Sequence, residues 1–238
     1  MKVVIAQLVF LALASRALGA AIENCHFDRL AKCGNPLSAF RKEMGQSFPT
    51  TEDQVKKLCS NMDEAYKCAE EFQNKCMTPL QLQTMGFLAE GAQITYNDFC
   101  KEGSKLRTDY LKHAQCIDDT SKTDEAKGYY SYVEAALEDL SEKPPSDRLP
   151  ITCCGYKWLD AKFKATGTEK CGKEAMDSFS NVVEMVVSSL PGVLCSGFEP
   201  EGKQCAAVLP PAGAKPKGTI KNSHIAQSFA NIYLQDMQ

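Results

Sequence analysis

The sequence predicts an all-α fold stapled by disulfides. Three observations carry that reading. Apolar residues recur at the 3.6-residue helical rhythm through most of the chain. No alternating apolar/polar run is long enough to define a strand. All 12 cysteines follow a short apolar leader. Together they predict a disulfide-stapled bundle of about seven to nine helices, without a β-sheet.

The first element is the leader, residues 1–21. Lys2 supplies a positive start, Val3 to Ala14 an apolar run broken only by Gln7, and Gly19, Ala20 and Ala21 small residues for cleavage. Such a run is too short to cross a bilayer and reads as a secretory signal peptide. No later run is long and apolar enough to cross a membrane either, so the expected destination is extracellular.

A long helix follows, opened by Thr50 or Thr51 in a capping box with Asp53 or Gln54. Its stripe is Val55, Leu58, Cys59, Met62, Ala65, Tyr66, Ala69, Phe72 and Cys76. TPLQ at 78–81 starts the next one, with Thr78 as cap, Pro79 in the first turn and Gln81 closing the box. One face then carries Leu82, Met85, Ala89, Ala92, Tyr96, Phe99 and Cys100. Gly103 interrupts it. Leu106, Tyr110, His113 and Ile117 mark a further helix, and Tyr129, Tyr132, Val133, Ala136, Leu137 and Leu140 another.

SEKPPSDRLP, residues 141–150, reads as a Pro-rich linker, because paired prolines do not continue a helix. It divides the chain into an N-terminal half, 22–140, with seven cysteines and a C-terminal half, 151–238, with five. The second half opens with a helix around Cys153 to Phe163, then a Thr-Gly-Thr turn at 166–168. A helix bearing Cys171, Ala175, Phe179, Val182, Val183, Val186 and Leu190 follows, stopped by Pro191-Gly192. Residues 196–218 are rich in Gly and Pro and read as irregular. NSHIAQSFANIYLQDM closes the chain as an amphipathic helix through Ile225, Phe229, Ile232 and Tyr233.

The cysteines are Cys25, Cys33, Cys59, Cys68, Cys76, Cys100, Cys116, Cys153, Cys154, Cys171, Cys195 and Cys205. An even count behind a signal peptide reads as six bridges formed in an oxidising compartment. Geometry limits the pairing. Residues eight apart on one helix lie about 12 Å apart, beyond the ~7 Å between Cα atoms that a disulfide allows. Cys68 therefore cannot pair with Cys76, nor Cys25 with Cys33 if they share a helix. Neighbouring side chains diverge by about 100° on a helix, so Cys153 and Cys154 require two different partners. Cys59, Cys76 and Cys100 recur at one offset as Cys154, Cys171 and Cys195. A duplication would make the two halves related, and coincidence of a single offset is the competing explanation.

Several functions are excluded on chemical grounds. The chain carries a formal net charge of −3, and loss of the leader removes Lys2 and Arg16 but no acid. An acidic chain without a basic run argues against nucleic acid and anionic membranes; KPKG at 215–218 is only a short loop. Cys153-Cys154 invites comparison with the Cys-Cys-x-x-His-Asp helix of secreted phospholipases. Here Lys157 and Trp158 stand where the histidine and aspartate belong, which removes the base. His26, His113 and His224 lie in three separate segments without paired-ligand spacing, so no metal site is expected. His113 reads as a packed, hydrogen-bonded core residue. Nucleophile-elbow and P-loop patterns are absent. Glu70-Glu71, Asp118-Asp119 and Glu138-Asp139 read as solvated helix faces.

No catalytic residue and no cofactor are expected. Tyr129, Tyr130 and Tyr132 read as core, or as the lining of a cavity for an apolar ligand. The Cys-x-x-x-Cys pair of insect odorant carriers is absent, which removes that family while leaving the carrier class open. N-x-Ser/Thr glycosylation signals are absent, and Asn74-Lys75-Cys76 is the rare cysteine variant.

One resemblance is present. The Cys25-x7-Cys33 pair, the Cys59/Cys68/Cys76 helix and the Pro-Ile-Thr-Cys-Cys-Gly-Tyr-x-Trp segment at 150–158 resemble secreted, cysteine-rich arthropod proteins of the haemolymph-glycoprotein type. The resemblance implies an extracellular helical protein without assigned activity and supplies no catalytic residues. The expected function is accordingly a non-enzymatic structural or protein-interaction component of a body fluid or gland secretion. The alternative is an extracellular carrier of a small, lipid-like ligand in an interhelical cavity.

Overall fold

The structure is a computed structural model that describes residues 25–45, 48–187 and 190–218. Among these residues there are ten α-helices, one 3-10 turn and no strand. The helices are α1 (Phe27–Lys32), α2 (Asn35–Glu43), α3 (Glu52–Cys76), α4 (Pro79–Cys100), α5 (Lys105–Ser121), α6 (Asp124–Leu137), α7 (Pro145–Cys171), α8 (Lys173–Val187), α9 (Leu190–Leu194) and α10 (Lys203–Val208). The count exceeds the expected seven to nine because α1, α9 and α10 span only five or six residues each. Such stretches are too short to display a helical stripe. The leader and the amphipathic segment at 223–238 lie outside the described residues.

The helix starts follow from local chemistry. The Gln54 amide accepts from the N–H groups of Thr50 (2.8 Å) and Thr51 (3.2 Å), and Gln54 N–H donates to Thr51 Oγ1. Thr78 and Gln81 repeat that reciprocal box at α4, with Thr78 N–H donating to Gln81 Oε1 at 2.8 Å. Ser104 and Thr123 cap α5 and α6 by accepting from Arg107 and Ala126 N–H. Each cap satisfies donors that a helix end leaves orphaned.

The chain forms two compact units. The first takes residues up to 45 together with 57–85, and the second takes 46–56 and everything from 86 onward.

In the first unit the bridges are Cys25–Cys76 and Cys33–Cys68, with Cα separations of 5.3 and 5.4 Å. Eight residues of the N-terminal segment thus answer eight residues of α3 in the opposite direction. This is how cysteines that cannot pair along a helix are satisfied across to a second element. Phe40, Met62 and Phe72 are buried here, and Lys57 pairs with Glu43 on the surface.

The second unit is organised around α7, which packs against α5, α6, α8 and α10. Ile151, Cys153 and Cys154 on its first half and Phe163 on its second are buried. Also buried in this unit are Tyr132, Val133 and Leu137 of α6, Tyr110, Ala114 and Ile117 of α5, and Ala175, Met176 and Phe179 of α8. Gly167 is buried where α7 meets α8, and a Cβ there would overlap Met176 Sδ. The segment ahead of α3 is drawn in by Phe48, whose ring meets Phe179 edge-on at 5.0 Å and whose N–H donates to Asp118 Oδ1 at 2.8 Å.

Two sequence expectations for this region need correcting. Residues 141–150 lie inside the second unit as a helix junction. A 3-10 turn covers Leu140–Glu142, Pro144 is extended, and α7 already begins at Pro145. Pro145 occupies a first-turn position, where a missing N–H costs no helical bond; Pro150 lies inside the helix. The Thr-Gly-Thr segment is helical as well, since α7 runs unbroken to Cys171 and stops only at Gly172, with φ of 86°. The Cys116–Cys171 bridge, with Cα atoms 5.8 Å apart, spans the Pro-rich stretch. The pairing also does not repeat between halves: Cys76 joins Cys25, whereas Cys171 joins Cys116.

Candidate functional site

Cys153 and Cys154 are neighbours on α7, and neither is exposed at all. Their side chains diverge, as helix geometry requires. Cys153 bonds Cys195 and Cys154 bonds Cys205, with Cα separations of 5.1 and 5.3 Å. The segment 195–205 is therefore tied at both ends to consecutive residues of one helix. Between the ties the chain makes a tight turn in which Gly202 N–H donates to Glu199 O at 2.9 Å. Pro200 fits the second position of such a turn, where its fixed φ is pre-set. Glycine fits at 202 because a Cβ there would stand 3.2 Å from Glu199 O.

This turn stands over one face of α7. Trp158, Ala161, Lys162 and Ala165, at helical spacing, form one side of an open groove of about 460 Å³, and residues 199–202 form the other. Trp158 is half-buried. Its ring lies 4.3 Å from that of Tyr132 and meets Tyr129 edge-on at 5.6 Å. The Lys162 ammonium sits 6.0 Å from the indole centroid. Trp158 is thus the wall of a groove as well as a packing residue. Tyr132 is buried and donates its hydroxyl to Pro210 O at 2.8 Å. Tyr130 packs on Phe163 at 6.4 Å. Tyr129 bonds Glu125, which lifts its pKa above the ordinary tyrosine value. The three tyrosines pack α6 onto α7.

No family model, curated protein or solved structure matches the chain.

All twelve cysteines are oxidised. Five bridges are those already described, and Cys59 and Cys100 are disulfide-bonded as well. Among the described residues no group of three or more His, Cys, Asp or Glu is arranged to hold a metal ion, and no helix is long and apolar enough to cross a membrane. His26 is exposed. His113 is half-buried rather than a core residue, and its Nε2 makes no hydrogen bond, standing 3.8 Å from Glu174 Oε1. His224 lies outside the described residues.

The acidic pairs divide. Glu70, Glu71 and Asp119 are exposed, but Asp118 and Glu138 are buried. Asp118 accepts from Phe48 N–H and from Lys122, and Glu138 accepts from Lys217 N–H. These two carboxylates anchor incoming chain segments, which no helical pattern shows, because the segments come from 70 and 79 residues away. Lys217 of the basic KPKG loop also pairs with Asp139 at 2.8 Å.

Nothing in the helical or turn pattern of the Gly/Pro-rich stretch 196–218 singles out Glu199 and Glu201. The available signal was Cys-x9-Cys enclosing an EPEG turn.

Proposed function

We propose that this protein is an extracellular, non-enzymatic component of a body fluid or gland secretion that works by binding other proteins. The observation that carries the extracellular reading is the complete oxidation of its cysteines, since bridges of this density persist in secretory and extracellular compartments. The apolar leader supports the same route. The cysteine spacing that resembles arthropod haemolymph glycoproteins supports a body-fluid setting. Phe87 and Ile94, seven residues apart on α4, are 77% and 64% exposed, which supports a role in contacts with other proteins.

A carrier of a lipid-like ligand would need an enclosed apolar cavity. The groove beside Trp158 is open and edged by Lys162, Glu199 and Glu201, so it does not favour that reading. The test is expression of the full chain in a eukaryotic secretory host. The expected product is in the medium, begins near residue 22, and resists alkylation without reductant. Retention inside the cell with free thiols would overturn the proposal. Native mass spectrometry of the same material checks the alternative, because a retained lipid-sized adduct would favour the carrier.

A further inference from the structure

We propose that the groove beside Trp158 binds a small organic amine, an ammonium group carried on an apolar body. The inference is independent of the secreted-component reading and rests on four features of the groove.

The first is its construction. The Glu199–Gly202 turn is held by two disulfides whose four cysteines are fully buried, and by its own Gly202-to-Glu199 hydrogen bond. Its wall on the other side is a helix. A site with both walls fixed in advance loses little freedom when it is filled. The second is size. A volume of about 460 Å³ lies within the range of small-molecule sites, and Ala161 and Ala165 on one wall with Pro200 on the other give it apolar surface.

The third is charge. Glu199 and Glu201 are exposed on the rim, and neither carboxylate has an ion pair or hydrogen bond among the described residues. Every other named group of the groove is neutral except Lys162, so the site carries a net negative charge. The fourth is the indole. Lys162 already places an ammonium 6.0 Å from the Trp158 centroid, which is the range in which a ring face attracts a cation. The ring is therefore presented to cations. Lys162 is the intramolecular occupant that an incoming amine displaces towards the glutamates.

If the groove takes cations, removing the Lys162 charge strengthens binding; if it takes anions or neutral sugars, removal weakens binding or leaves it unchanged.

The chain has one tryptophan and eight tyrosines, so emission excited selectively at the red edge of the indole band reports on this groove. The experiment titrates the purified, oxidised full chain with phenethylamine, phenylethanol, phenylacetate and methyl glucoside. Phenethylamine is expected to change the emission saturably and to bind at least ~10-fold more tightly than the other three. E199Q/E201Q is expected to lose about tenfold in phenethylamine affinity, and K162Q to gain severalfold. Unchanged circular dichroism keeps these surface variants interpretable. No saturable response, equal binding of phenylethanol, preference for phenylacetate or the glucoside, an unaffected E199Q/E201Q, or weaker binding by K162Q would each overturn the proposal.

Discussion

Tyr110 donates its phenolic hydrogen to the carbonyl oxygen of Pro49 at 2.8 Å, across 61 residues of chain. The side chain is 1% exposed. Burial, and after it the nearby Asp118 carboxylate, push the phenol well above the ordinary tyrosine pKa. The folded state thus holds the proton more tightly than the unfolded chain, which releases it near pH ~10. Tyr110 therefore contributes its full stability below about pH 10 and loses it progressively above, by up to ~1.4 kcal/mol per pH unit. Y110F is expected to flatten the alkaline decline measured by urea titration, while costing about 1 kcal/mol at neutral pH for the lost hydrogen bond. An alkaline slope unchanged in Y110F would refute the assignment.

Arg107 is buried to 1% exposure, yet its partner Glu52 is more than half exposed. The guanidinium also donates to the carbonyls of Glu52 and Cys100 at 3.3 and 3.4 Å. It thereby fastens the first turn of α3 and the last of α4 to α5. Arg107→Met removes these bonds and takes a donor from both carbonyls, of which that of Glu52 keeps its helical partner. The expected cost is about 2 kcal/mol, or roughly 4–8 °C in Tm for a chain of this length. Glu52→Gln keeps an acceptor at the guanidinium and is expected to cost less than half as much. Calorimetry that ranks Glu52→Gln as the worse of the two would show that the charge, rather than the anchoring of the carbonyls, dominates.

Gly167 gives a prediction whose sign runs against helix propensity. In an exposed helix, glycine to alanine gains about 1 kcal/mol. Here the new methyl would collide with Met176, whose side chain is 4% exposed and has little room to move. G167A is expected to destabilise by ~1–2 kcal/mol. The double variant G167A/M176A should recover part of the loss relative to the sum of the single changes. Strict additivity would mean that the two positions do not share this space.

The bridges should differ in their order of reduction. Cys153, Cys154, Cys195 and Cys205 are fully buried, whereas Cys116 and Cys171 are partly exposed and Cys68 is exposed. Thiolate attack needs access to sulfur. Limited dithiothreitol treatment followed by alkylation and peptide mapping is expected to label Cys68 and Cys116 or Cys171 before any of the four buried residues. Early labelling of Cys153 or Cys154 would contradict the packing of α7.

The legible part of the fold was the part fixed locally. Thr51 with Gln54 and Thr78 with Gln81 form the reciprocal caps that their spacing announces. The impossibility of a Cys68–Cys76 bridge and the divergence of Cys153 from Cys154 followed from helix geometry, and the pairing obeys both. What escaped was fixed by distant chain. Pro145 and Pro150 resemble a linker until α6 and α8 pack along α7 and hold it helical. Gly167 resembles a turn until Met176 explains why no side chain fits there. The groove was invisible for the same reason. Trp158 and Glu199 are 41 residues apart in sequence, and the two ties at Cys195 and Cys205 bring the turn to the helix.

Those two ties also govern how the molecule would respond to a protease. The turn at 199–202 is exposed at Glu199 and Glu201, where cleavage is most accessible. A single cut there leaves the upstream piece bound through Cys195 to Cys153 and the downstream piece bound through Cys205 to Cys154. No fragment is released. Hydrolysis would add the mass of one water and two new chain ends, and without reductant the nicked protein would migrate as one chain.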